Sequence, residues 1–155
     1  MLLKLSLFLH VISAIFWIGG MLFLSLVIVP FLLALKDPQD RSAVYRAIGP
    51  KYRTLAWIAI IILLITGPLN LYLLEINPAK IFTPEFLATS YGKALLIKLI
   101  LVFIIVVSSL LHDFWVGPKA RTSEKFKAYA RIFGRGNLIL AILIVLFAVF
   151  IRTGG

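Results

Sequence analysis

The chain has 155 residues, 62% of them hydrophobic and 14% charged, with a mean hydropathy of +1.07. This composition excludes an ordinary soluble domain and describes an integral membrane protein. There is no cysteine, so disulfides, thiolate metal sites and iron–sulfur clusters cannot form within the chain.

Four apolar stretches, at about residues 3–35, 54–74, 92–115 and 136–151, are read as spanning helices, because about 20 apolar residues suffice to cross a bilayer. The expected fold is an all-α integral membrane protein, a four-transmembrane-helix bundle forming a single domain over residues 1–155. The first stretch is too long for a cleaved signal peptide, and no small-residue cleavage motif follows it. The fourth has a short apolar core, Leu138 to Ile151; it is expected to cross by extending through Gly136 and Asn137 while Arg135 and Arg152 snorkel to opposite interfaces, the alternative being three spans.

The net charge of +10 is explained by its distribution. Lys36, Arg41, Arg46, Lys51 and Arg53 fall in the first connection, and Lys119, Arg121, Lys125, Lys127, Arg131 and Arg135 in the third, against Lys80 and Lys93 in the second. The positive-inside rule makes the first and third cytoplasmic and gives an N-out, C-out topology in the cell inner (cytoplasmic) membrane. The partner of this charge is the lipid bilayer, with no nucleic acid implied.

Within the first connection, a short interfacial helix is expected from Ser42 to Ile48, closing at Gly49-Pro50. Thr83-Pro84-Glu85 has the cap, proline and acidic residue of a helix start. Phe126, Tyr129, Ala130 and Phe133 recur at helical spacing among Lys and Arg, as in a helix lying in the interface. No internal repeat is evident.

Ionisable groups inside a membrane are costly and usually functional, which draws attention to the two histidines, His10 and His112, and to Lys98. Ser6, His10, Ser13, Trp17 and Gly20 recur at four- and three-residue steps and share a helix face. The second span carries Thr66, Gly67, Pro68 and Asn70, where proline frees a backbone carbonyl. Together His10, Asn70, Lys98 and Tyr91 offer an imidazole ligand, amide and hydroxyl hydrogen bonding, and a cation suited to a carboxylate such as a haem propionate. Lys98 must pair, line a polar cavity or snorkel.

A second constellation, Ser108, Ser109, His112, Asp113 and Asn137, lies near the other interface, where His112 is a second metal-ligand candidate or an interfacial cap. Lys98 and His112 are about 21 Å apart along their helix at ~1.5 Å per residue, so they cannot serve one small site. The first and third helices run in the same direction, so His10 and His112 do not clamp one haem within a chain. Each serves its own site, a dimer pairs equivalent histidines, or the second axial position stays open. Soft copper donors are limited to Met1 and Met21, so residue supply favours haem over a copper relay.

The segment from His10 through Trp17-Ile-Gly19-Gly20, followed by Leu-Val-Ile-Val-Pro30, resembles the membrane domain of the CopD family, associated with copper resistance. Ser90-Tyr-Gly-Lys-Ala-Leu-Leu-Ile-Lys98 strengthens the resemblance, and both motifs are also similar to HemJ, a family linked to protoporphyrinogen oxidation and haem b binding. The chain departs from the HemJ pattern in continuing Met21-Leu-Phe-Leu where an arginine would follow the glycine. The resemblance implies His10 as ligand, Trp17 and Gly20 as pocket or packing residues, and Lys98 as a buried functional cation.

The function expected is therefore a haem b-binding membrane protein in electron transfer or haem-linked oxidation; if it is an enzyme, it is a haem-dependent membrane oxidoreductase. The alternatives are a copper-handling protein using His10 and Met21, and a non-catalytic subunit of a respiratory complex. Gly19, Gly20 and Ser13 permit close helix approach and hence a homodimer, and a respiratory or haem-pathway membrane protein is the expected partner.

Overall fold

The computed structural model describes residues 1–120 and 122–153, so Arg121, one of the basic residues of the third connection, lies outside the described residues. Among these every regular element is helical, and four continuous helical runs are long and apolar enough to span a membrane: Leu2–Ala34, Pro38–Leu73, Ser90–Ala120 and Glu124–Thr153. The chain is a multi-pass, all-α membrane protein. By its contacts it divides into two units, Met1–Ile76 and Asn77–Gly155.

In the first unit, α1 (Leu2–Phe23) passes through a five-residue π-helical segment, Leu24–Ile28, into α2 (Val29–Ala34). Pro30 explains the widening: it has no N–H, and its ring crowds the preceding turn, so the ladder shifts and Val29 N–H reaches back five residues to the Leu24 carbonyl. A short link leads into α3 (Pro38–Leu73). Asp37 caps it by accepting from Gln39 N at 2.7 Å, with Pro38 in the first position. Arg41 Nε donates to the Leu35 carbonyl at 2.9 Å, satisfying a group that the end of α2 leaves open. At its far end α3 closes with Glu75 in the left-handed region (φ 61°), while Glu75 N–H bonds Tyr72 and Ile76 N–H bonds Leu71.

The second unit opens with a 3-10 turn at Pro78–Lys80 and the short α4 (Pro84–Ala88), capped as expected by the Thr83 hydroxyl accepting from Phe86 N. Then α5 (Ser90–Leu111), a π-helical segment (His112–Val116) and α6 (Gly117–Ala120) form one run, and α7 (Glu124–Thr153) returns. Pro118 stands to the second π-helical segment as Pro30 stands to the first. Each unit is thus a broken helix packed on a long one, in the same order.

The basic connections are largely helical. The short helix expected at Ser42–Ile48 is the beginning of α3, which runs on through Gly49-Pro50, and the residues around Phe126 to Phe133 are the first turns of α7. Charged helix ends need no break where they leave the hydrocarbon, because water or headgroups solvate them. The faces turned away from the helix contacts within each unit carry exposed Leu5, Phe8, Ile12 and Ile15 in the first and Phe103 and Ile139 in the second.

Candidate functional site

In the first unit α1 packs against α3, and the face read from sequence is the contact face: Ser6, Ser13 and Trp17 are buried and His10 half-buried. Across from it lie buried Ala56, Ala59, Ile60, Thr66 and Asn70. Small residues at 56 and 59 let the helices approach, and polar residues gather where α3 nears its end.

His10 Nδ1 lies 2.8 Å from Thr66 Oγ1, and the Thr66 hydroxyl lies 2.7 Å from the Ile62 carbonyl of its own helix. The carbonyl can only accept, so the single hydroxyl proton goes to it, and Thr66 Oγ1 accepts from His10 Nδ1–H. This fixes the tautomer: Nε2 is the basic nitrogen of the neutral imidazole. A hydrogen bond of this kind from the other ring nitrogen is what orients a metal-ligating histidine. Gly67 backs onto the ring, where an added methyl would sit 3.6 Å from His10 Cε1. Asn70 and Ser6 follow one turn along their helices, each with a buried oxygen, Asn70 Oδ1 and Ser6 Oγ, lacking a hydrogen-bond partner.

Trp17 and Gly20 serve packing in this geometry. Tyr52 donates its hydroxyl to the Trp17 carbonyl at 2.9 Å, and its ring lies so close to Gly20 that any side chain there would collide with it. Tyr52 carried no signal in the sequence because it precedes the apolar stretch read as the second span.

The other candidates, Tyr91, Lys98 and His112, belong to the second unit. Tyr91 meets Phe86 edge to face at 6.0 Å. Lys98 is half-buried on α5, with no ion pair among the described residues. His112 opens the second π-helical segment, its Nδ1 2.7 Å from Asp113 Oδ1. Nearby, Ser108 donates to Asn137 Oδ1 at 2.5 Å and Asn137 Nδ2 donates to Ser109 at 3.3 Å, a polar clamp between α5 and α7. Among the described residues no three of His, Asp and Glu gather closely enough to hold a metal ion.

The family model for copper resistance protein D matches residues 46–151, from the first turns of α3 through most of α7. The chain belongs to the copper resistance protein D (CopD) family. An uncharacterized protein of Aquifex aeolicus (strain VF5) is 39% identical over 153 residues, covering 97% of this chain and 96% of the relative. No solved structure matches. The CopD match includes Thr66, Asn70, Lys98 and His112 and begins after α1, so the Thr66 side of the hydrogen bond lies within the family's region and His10 before it.

Proposed function

We propose that this CopD-family chain is an inner-membrane protein that binds haem b through His10 and works in electron transfer or haem-linked oxidation. The observation carrying the reading is the Thr66 hydrogen bond, which takes up Nδ1 and orients the ring so that Nε2 would be the ligating nitrogen. Donor supply supports the same choice. A haem brings four ring nitrogens and needs one imidazole, whereas a bare copper ion needs several protein donors, and the described residues gather no group of three His, Asp or Glu. Ser13 and Asn70 would flank the ligand, and the haem would supply a one-electron carrier within the hydrocarbon. The Lys and Arg distribution supports an orientation with both termini outside.

The test is cofactor content of the purified protein. Haem b should be found by pyridine haemochrome, and His10→Ala should lose it while circular dichroism stays helical; retention of haem in that variant would overturn the ligand assignment. Copper handling is the second reading, favoured by the family's description. Stoichiometric copper in haem-free protein, lost in His10→Ala, would put it first.

A further inference from the structure

The two units share more than element order. Leu2 and Ser90 begin the first segment of each broken helix, Phe23 and Leu111 end it, Leu24–Ile28 and His112–Val116 are the π-helical segments, and Pro30 and Pro118 follow; every pair is 88 positions apart. Burial follows this register at most of the helix contact, departing from it where Leu95 and Ser13 are buried and their counterparts Leu7 and Leu101 are not. Trp17 and Ile105 are buried, as are Ser6 and Ala94; Ala14 and Val102, Ile18 and Val106 are half-buried; Ile15 and Phe103, Phe16 and Ile104 are exposed.

The returning helices match at 81 positions, where Ala56 and Asn137, and Ile60 and Ala141, are the buried pairs. The two registers agree with each other. Gly20 and Ala56 are the counterparts of Ser108 and Asn137, and Ser108 bonds Asn137 across the second unit on the same antiparallel alignment by which His10 bonds Thr66 across the first.

In this register the counterpart of His10 is Lys98, both half-buried on the contact side of their helices. The counterparts of Thr66, Gly67 and Asn70 are Phe147, Ala148 and Ile151. The polar wall that serves His10 is therefore apolar in the second unit, and α7 offers the Lys98 ammonium no acceptor side chain at that level. Of the acidic residues in this unit, Asp113 pairs with His112 at the far end of α5, Glu124 pairs with Lys127, and Glu85 sits in the first turn of α4. An ammonium about 12 Å into a helix at ~1.5 Å per residue must be compensated. Snorkelling carries it about one turn toward the helix start, to the level where the acyl chains of lipids meet their headgroups.

We infer that the chain is a twofold repeat of one broken-helix unit, and that its second copy turns the His10 position into a site, at Lys98, for the anionic head of a membrane-borne ligand. The shared chemistry is an anionic oxygen group on an apolar tail, either the carboxylate of a fatty acid or the phosphodiester of an acidic phospholipid. The site does not require haem.

Native mass spectrometry of haem-free protein, released from neutral phosphatidylcholine nanodiscs after a wash in 1 M salt, separates it from the basic helix ends, whose exposed charges are screened at about 3 Å under those conditions. Three probes are compared: oleate, phosphatidylglycerol and neutral oleyl alcohol. Wild type should retain one equivalent of an anionic probe with roughly tenfold preference over the alcohol. Lys98→Met should lose that preference and Lys98→Arg keep it, with thermal unfolding confirming that each variant is folded. Retention of oleate identifies a carboxylate ligand, and retention of phosphatidylglycerol a lipid phosphate. No anion preference in wild type, or the same preference in Lys98→Met, overturns the inference. Because haem is absent throughout, the result is independent of the ligand assignment at His10.

Discussion

In the first unit a bond between side chains of the two helices joins His10 to Thr66, whereas in the second such bonds join Ser108 and Ser109 to Asn137, ten positions further along the same plan. Where the second unit has that clamp, the first has Gly20 beside the Tyr52 ring and Ala56 across from it. Where the first has its imidazole, the second has Lys98 against an apolar helix. The shared scaffold therefore sets how the helices break and pack. The substituted positions differ in chemistry, with an imidazole in one unit and a lysine at the matching position of the other.

Three substitutions sharpen this contrast. Gly20→Val should have the largest effect on stability, about 1–3 kcal/mol in detergent unfolding, because the Tyr52 ring must leave and its bond to the Trp17 carbonyl goes with it. An unchanged midpoint would mean that the ring relocates freely. Thr66→Val should cost about 1–2 kcal/mol by leaving the His10 Nδ1–H without its acceptor. It should also release the tautomer, so that nitrogen-15 shifts of His10 move from a single Nε2-basic form to a mixture; Thr66→Ser should restore the single form. The smallest effect is expected from Asn137→Leu, about 0.6 kcal/mol, since polar contacts between membrane helices are weak and both serines can turn back to their own helix. If His10 holds the cofactor as proposed, that variant should leave cofactor content unchanged, because the clamp belongs to the other unit.

Hydropathy alone revealed the four spans, and the first is placed within a residue of its observed ends. The third was read five residues short, at 115, because Gly117 and Pro118 look like a stop; the structure carries the helix to Ala120 by widening the turn before the proline. α3 begins far ahead of the expected residue 54, because charge and Gly49-Pro50 read as a connection although a surface helix tolerates both. The face of His10, Ser13 and Trp17 was legible from spacing. The Thr66 bond was not, because which residue of a second helix meets the imidazole depends on the register between helices. The repeat was hidden for a related reason. What the units share is a widened turn and a burial pattern, and beyond aliphatic matches the shared mark along the broken helices is the pair Pro30 and Pro118.

The measurement that tests the division of labour most directly is a reduced-minus-oxidised optical spectrum of purified wild type beside His10→Ala and His112→Ala. The account predicts a haem b spectrum in wild type, the same spectrum in His112→Ala, and none in His10→Ala. A spectrum that survives in His10→Ala and vanishes in His112→Ala would move the cofactor to the other unit and contradict the account.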